Sequence, residues 1–375
     1  MAASLRKFSR SIFIFLNFSV AILLLLSCAN AYLDPWQWWF IALLGFGFLP
    51  LFIVNIFFLV YWIFRKSRWS ILSLIVLLLS WLNFRAAIGL HFTTSAAVKN
   101  DNTIRLLTWN VHMFNNFDAV RKGASGRAEM LKFINDQDAD ILCFQEFYEE
   151  YGRERRKGSV FDLLAQLGYK YAVYAEDYGQ HPDKFSMGTA IFSRLPIIDS
   201  LRLRYKDQPG PIGKESLLSV DIQKNGKLFR VFSTHLQSYQ FGESDYDDIQ
   251  KIKNVKDQTY EASKSVVRKL RLAYRNRVGQ SKMARIQLDN SRLPEILAGD
   301  FNDIPNSYTY FHIKGDRQDA FVQKSWGIGR TFAAISPTLR IDYVMADKSF
   351  KILRYEKKNV PFSDHYPIIV DLELP

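Results

Sequence analysis

Residues 361–375 read PFSDHYPIIVDLELP, and the fold turns on what this stretch is. Ile368, Val370 and Leu372 alternate with Ile369, Asp371 and Glu373, the period-two pattern of a half-buried strand. Pro367 sits where a strand can begin, since it has no N–H to give to a ladder interior. Asp364 and His365 therefore lie at the mouth of a strand, where scaffolds carry chemistry. Taken alone, the pair has a plain alternative: an Asp capping a turn beside a histidine with ordinary partners. The remainder of the chain has to decide.

Upstream, from Thr103 onward, strands and helices alternate. TIRLLTWNV (103–111) reads as a strand, RAEMLKFINDQD (127–138) has helical spacing, and ADILCFQE (139–146) reads as a buried strand. MGTAIFSR (187–194), SLLSVDIQ (216–223) and KLFRVFSTHL (227–236) follow as strands, the last two joined by the turn KNGK. PEILAGDFND (294–303) and LRIDYVMA (339–346) are strands beside acid-bearing loops. Acids, amides and histidines recur at these strand ends: Asn110, Glu146, His235, Asp300, Asn302, Asp342, and the Asp364–His365 pair. Any one of them has a mundane role, such as Asn110 or Asp300 forming a turn. Together, with no zinc-type Cys/His spacing, they favour a hard cation held by oxygen over zinc.

TWNV, QE, MGTAIFSR, STHL, GDFND, RIDYV and SDHYP stand in the order found in the endonuclease/exonuclease/phosphatase superfamily, the DNase I-like fold, which residues 103–374 resemble. Each motif is short, and the ordered set is what is specific. The resemblance implies an α/β (α+β) four-layer sandwich, two mixed sheets face to face with helices outside. It also implies phosphoester hydrolysis. Glu146 matches a metal ligand and Asn110 its partner around the metal. A carboxylate with an amide oxygen suits Mg2+ (or Mn2+), which keeps several waters. His365 matches the histidine that activates or stabilises at the attacking side, and Asp342 the acid that orients it. Asp364 matches a metal-site acid. Asp300 and Asn302 match the pair that orients the nucleophile and holds a phosphate oxygen. His235 matches the second histidine, the acid for the leaving oxygen in the DNase I and sphingomyelinase branches. On this resemblance Asp364 and His365 precede the strand in order to face a phosphate. A catalytically inactive binding module is disfavoured, because no member of the acid–base–metal set is missing.

The N-terminal part is of another kind. Ile12–Ala29, Trp36–Phe64 and Trp69–Phe84 are apolar, the last extending to Leu90 if Arg85 reaches an interface. About 20 apolar residues cross a bilayer, so three transmembrane helices are expected within residues 1–91, a linker over 92–102 and the catalytic domain over 103–375. A cleaved signal peptide is the alternative for the first stretch, given Arg6, Lys7 and Arg10 before it. Those residues and RKSR (65–68) place the N-terminus in the cytoplasm and everything after about residue 91 outside. This architecture resembles a group of bacterial membrane proteins that includes a teicoplanin-resistance protein. That resemblance implies a lipid-linked phosphate or pyrophosphate as substrate and membrane lipids as neighbours. An extracytoplasmic, membrane-tethered nuclease is the alternative. No protein partner is implied. The two cysteines, Cys28 and Cys143, allow no disulfide framework in the soluble part.

The net charge of +12 is unevenly spread. Residues 1–99 hold eight Lys/Arg and one acid, and residues 251–292 hold twelve Lys/Arg against three acids. For the second segment three roles stay open: a solvated helix face, a surface for anionic lipid headgroups, or a nucleic-acid backbone contact. Only Tyr260 and Tyr274 are interleaved there as aromatics.

Overall fold

The computed structural model describes residues 2–92, 99–115, 126–149, 159–180, 185–207, 213–239, 259–333 and 338–375. The linker residues 93–98 and the basic residues 251–258 lie outside them. The chain divides into two compact units, Met1–Ile88 with Ile304–His312, and Gly89–Asp303 with Ile313–Pro375.

The first unit is helical: α1 (Ala2–Ala29), α2 (Pro35–Gly45), α3 (Phe48–Phe64), α4 (Trp69–Leu79) and α5 (Trp81–Ala87). Asp34 caps α2 by accepting from Trp36 N at 2.9 Å, and Pro35 supplies the preset first-turn backbone. Ala21, Leu24, Phe48, Phe52, Val76 and Ala87 form its core. Arg6–Ala29 is one helix long and apolar enough to cross a membrane. The second and third apolar stretches, expected as single helices, are each broken, with bends of 56° between α2 and α3 and 54° between α4 and α5. Pro50 accounts for the first break: it has no N–H to return to the Phe46 carbonyl, and its ring crowds that carbonyl. Ser80 accounts for the second. Its hydroxyl donates back to Val76 O at 2.5 Å and to Leu77 O at 3.3 Å, a bond that bends helices.

The second unit is a mixed α/β fold. A two-stranded ribbon pairs β1 (Gly89–Leu90) with β11 (Trp326–Gly327). One six-stranded sheet runs in the order β13 (Lys351–Lys357), β14 (Ile368–Glu373), β2 (Thr103–Asn110), β3 (Ile141–Glu149), β5 (Phe185–Ser193) and β4 (Tyr171–Gln180). The other runs β10 (Gln318–Asp319), β12 (Asp342–Ala346), β9 (Glu295–Asp300), β8 (Lys227–His235), β7 (Ser216–Lys224) and β6 (Ile197–Arg204). Inward residues of both sheets, among them Leu106, Ile191, Val220, Val231, Ala298 and Val370, share one core. The outer face of the first sheet is covered by α6 (Gly126–Asp136) and α7 (Val160–Gln166), through Met130, Ile134, Val160 and Leu164.

β14 departs from the half-buried strand expected of it. Its alternation is present, but both faces are covered. Ile368, Val370 and Leu372 enter the core between the sheets, and Ile369 enters the core under the helices. Each such apolar side chain contributes about 1.5–3 kcal/mol. Asp371 survives burial because Arg105 clasps it with two donors, at 2.7 and 3.0 Å. In the basic segment one helix face is solvated, with Lys264, Arg268, Arg271 and Lys282 exposed, and another is buried. Within α8 (Thr259–Asp289) Ala273, Tyr274, Val278, Ala284 and Leu288 are buried. So is Arg277, whose Nη1 donates to Gln237 O at 2.9 Å and whose Nε stands 3.5 Å from Asp303.

Candidate active site

Strand direction gathers the site. β2 runs parallel to β3, and β8 parallel to β9, so both pairs end on one edge of the sandwich. β14 is antiparallel to β2 and β12 to β9, so both begin on that edge. Asn110 closes β2, His235 closes β8 and Asp300 closes β9. Asp342 opens β12, and Asp364–His365 precede β14. In register, Asp300 faces His235 on one side and Asp342 on the other.

Glu146 reaches the edge through a bulge. The β3–β5 register slips between Phe144 and Phe147, and Glu146 takes a left-handed φ of 51°. Asn302 adopts φ 51° just beyond β9, a conformation asparagine tolerates well. Gly299, with φ +149°, precedes Asp300, and a Cβ there would stand 2.0 Å from Thr234 O. No other residue fits so close to β8.

The side chains interlock. Asn110 Nδ2 donates to Glu146 Oε1 and Asp300 Oδ2, both at 3.1 Å, while its Oδ1 accepts from His112 N. His365 Nδ1 donates to Asp342 at 3.0 Å, and its Nε2 lies 3.7 Å from Asp300 Oδ2. His235 Nε2 is 3.8 Å from Asp300 Oδ2 and 3.9 Å from Glu146 Oε1, buried with no hydrogen-bond partner among the described residues. Asn302 N donates to Asp300 Oδ1 at 2.8 Å, and its Nδ2 to Leu236 O at 2.9 Å. Asp364 stands apart, 38% exposed, with its Oδ1 3.7 Å from His112 Nδ1.

Burial and the neighbouring Asp342 push the Asp300 carboxyl up to about 6, against the pull of both histidines. Burial alone would depress His365, but Asp342 and Asp300 outweigh it and hold the ring well above its ordinary value. His235 is likewise raised: burial opposes the charge, and Asp300 and Glu146 favour it.

The sequence left several supports unmarked. Ser363 Oγ donates to Asn110 O at 2.8 Å and accepts from His365 N at 3.1 Å, fastening the SDHYP turn to β2. Trp109 Nε1 donates to His365 O at 2.9 Å, and the Phe332 ring lies 4.8 Å from the imidazole. The S of SDHYP was the available signal for the first. Glu215 is buried, accepting from Tyr178 Oη at 2.5 Å and Gln280 Nε2 at 2.9 Å. Burial pushes nearby Asp177 up to about 7. Both acids add to the negative field on His235, and nothing in their local sequence announces it.

The donor set suits a divalent cation: it is rich in carboxylate oxygen and holds no thiol. Among the described residues, ligand atoms of Asp300, Asp342 and His365 all lie within 4.8 Å of one another. Asn110 turns its nitrogen, not its oxygen, toward the two carboxylates.

A family model described as Endonuclease/Exonuclease/phosphatase family matches residues 107–365, and one described as a domain of unknown function (DUF8431) matches residues 10–87. No curated protein matches the chain. Among solved structures, an endonuclease/exonuclease/phosphatase from Beutenbergia cavernae is similar over 73% of this chain and 72% of that one, at 22% identity and TM-score 0.51. An endonuclease/exonuclease/phosphatase from Bacteroides vulgatus gives 20% identity over 73% and 99%, TM-score 0.48. The human Nocturnin catalytic domain with bound sulfate gives 16% over 74% and 97%, TM-score 0.49. With the motifs drawn to one edge and the family match spanning most of its length, the chain belongs to the endonuclease/exonuclease/phosphatase family.

Proposed function

We propose that the chain is a divalent-metal-dependent phosphoesterase tethered to a membrane, acting at the outer face on a phosphodiester, phosphomonoester or pyrophosphate of a lipid-linked substrate. One observation carries the hydrolase reading: the buried series Asp342–His365–Asp300, with His235 Nε2 beside it and, among the described residues, without a hydrogen-bond partner of its own. Family membership supports phosphoester chemistry. The membrane part rests on the Arg6–Ala29 helix and the two bent pairs, and the lipid-linked substrate rests on that architecture.

Glu146, with Asn110 once its amide is turned, would hold Mg2+ or Mn2+, and Asp364, which stands apart beside His112, would have to swing toward them to join. Such a cation, when bound, supplies charge neutralisation at a phosphoryl oxygen. His365, held charged by Asp342, stabilises developing negative charge on the attacked phosphate. Asp300, poised near 6, takes the proton of the attacking water. Asn302 keeps a second amide hydrogen for a phosphate oxygen. His235, also held charged, protonates the departing oxygen.

The test uses the intact chain in detergent with Mg2+ or EDTA. Release of phosphate or alcohol is measured from plasmid DNA, RNA, sphingomyelin, phosphoinositides and polyprenyl pyrophosphates. Metal-dependent turnover of a lipid substrate is expected. Faster turnover of DNA or RNA makes the protein a nuclease instead, and full turnover in EDTA rejects the metal requirement.

A further inference from the structure

Asp342 and His365 are hydrogen-bonded to each other, yet they come from different sheets of the α/β unit. Asp342 opens β12 in one, and His365 precedes β14 in the other. No ladder joins β12 to β14, so no strand register sets how far the carboxylate stands from the imidazole.

Residues 331–333 run between the two. Thr331 is fully buried. Its Oγ1 accepts from Ile341 N at 3.0 Å and from Asp342 N at 3.1 Å, which spends both lone pairs on the start of β12. Its carbonyl accepts from Tyr366 N at 2.7 Å, and Ala333 N donates to Asp364 O at 2.7 Å. Between these two bonds Phe332 forms an isolated antiparallel bridge with His365 and lays its ring 4.8 Å from the imidazole. The strap is itself braced. Thr331 N and Phe332 N both donate to Leu339 O, at 2.9 and 3.2 Å, and Arg330 Nε donates to Phe332 O at 2.8 Å.

Buried N–H groups are costly to leave unpaired, so bonds of this kind hold their segments in place. Here one residue holds a segment of each sheet, and the two segments carry the two members of one pair. Apolar packing between the sheets is non-directional and would fix their separation less closely. A threonine with only a folding role could make its bonds to any neighbours. The sequence gave no sign of this one, since GRTFAA has neither strand alternation nor an acid.

We propose that Thr331 is a positioning residue for the hydrolase centre: it fixes the separation of Asp342 and His365, holding the start of β12 through its hydroxyl and the SDHYP turn through its carbonyl. The inference rests on the hydrolase reading above for its effect on rate, and on geometry alone for its effect on order.

The experiment uses the intact chain in detergent. Thr331→Val keeps the branched shape and removes the acceptor, and Thr331→Ser keeps the acceptor. Ser193→Ala is the control. It removes a buried hydroxyl that also makes two bonds, to Leu195 O at 2.8 Å and from Leu195 N at 3.0 Å, and that pairs with Ile141 at the far end of β3. Two readouts are taken: kcat and KM on a soluble nitrophenyl phosphodiester, and amide exchange of the peptides spanning residues 339–346 and 362–370. Thr331→Val should lower kcat about ten-fold or more with KM little changed, and Thr331→Ser should recover most of that loss. Exchange in Thr331→Val should quicken about ten-fold in both peptides, although the hydroxyl bonds only to the first. The control should do neither. If Thr331→Val fails to fold, Thr331→Cys, similar in size with a weak acceptor, carries the same expectations. Exchange that quickens in 339–346 alone, or an equal loss of kcat in Ser193→Ala, overturns the proposal. So does an active wild type that Thr331→Val matches in kcat. A wild type inactive on every substrate, with both peptides responding as expected, rejects the hydrolase reading and leaves the positioning intact.

Discussion

Asp300 is where the charges of the site converge: two imidazoles, one carboxylate and one amide reach it within 4 Å or in register. That crowding has a sign that pH can read. Folded Asp300 keeps its proton up to about 6, against an ordinary 3.8, so the folded state binds the extra proton in that window. Stability attributable to Asp300 therefore falls as pH rises from about 4 to about 6. His365, raised above 6.5, contributes stability that is full below that value and lost as pH rises through its folded value. In EDTA, thermal melts of Asp300→Asn and His365→Asn should lose these respective slopes relative to wild type. Parallel curves would contradict the assignment. The two histidines should also separate kinetically. His365→Ala and His235→Ala should each cost about 100- to 10,000-fold in rate. A nitrophenyl leaving group needs no proton on departure, so it should rescue much of the His235→Ala loss and little of the His365→Ala loss. Asp342→Asn should behave as a weaker His365→Ala, since it removes the carboxylate that orients the ring. Equal rescue of both histidines would undo the assignment of sides.

At the scale of elements, the site depends on backbone positions as much as on side chains. Gly299→Ala would drive a Cβ against Thr234 O in a left-handed conformation. It should destabilise the chain by about 3 kcal/mol in urea unfolding and displace Asp300. A stable, fully active variant would show that β8 and β9 can separate at no cost. The strands that carry motifs were legible in the sequence because apolar alternation and a strand-end acid reinforce each other, as in LAGDFND and STHL. β6 and β13 were not: β6 is an exposed edge, and neither ends in a marked residue. The depth of β14 also escaped, because Asp371 looks solvent-facing until Arg105 is placed beside it. For helix α8 the sequence left three roles open, and it could not show Arg277 folding inward over Tyr239 and Tyr274, 4.4 and 5.0 Å from their rings. The helix breaks had signals in Pro50 and Ser80, outweighed by the length of the apolar runs. The capture of residues 304–312 by the helical unit had none, because DIPNSYTY reads as an ordinary loop.

Taken whole, the chain joins an apolar helical unit to a hydrolase-family unit, and the proposal that it crosses a bilayer carries a direction open to a decisive measurement. The basic residues before Ile12 and in RKSR predict a cytoplasmic N-terminus and an outer hydrolase. A reporter active only outside, fused after Val98, should be on, and one active only in the cytoplasm should be off. The reverse pattern inverts the topology. The order of strands adds a matter of timing. β2 is the first strand of its sheet in sequence and β14 the last, yet they are neighbours. During synthesis the edge of β2 must wait, bare, until residues 368–373 arrive to cover it, while Asp364 and His365 arrive just ahead of them. The growing chain therefore has no hydrolytic competence until its final strand is delivered. Chains stopped short of that strand should be both inert and prone to stick to one another through the unfilled slot.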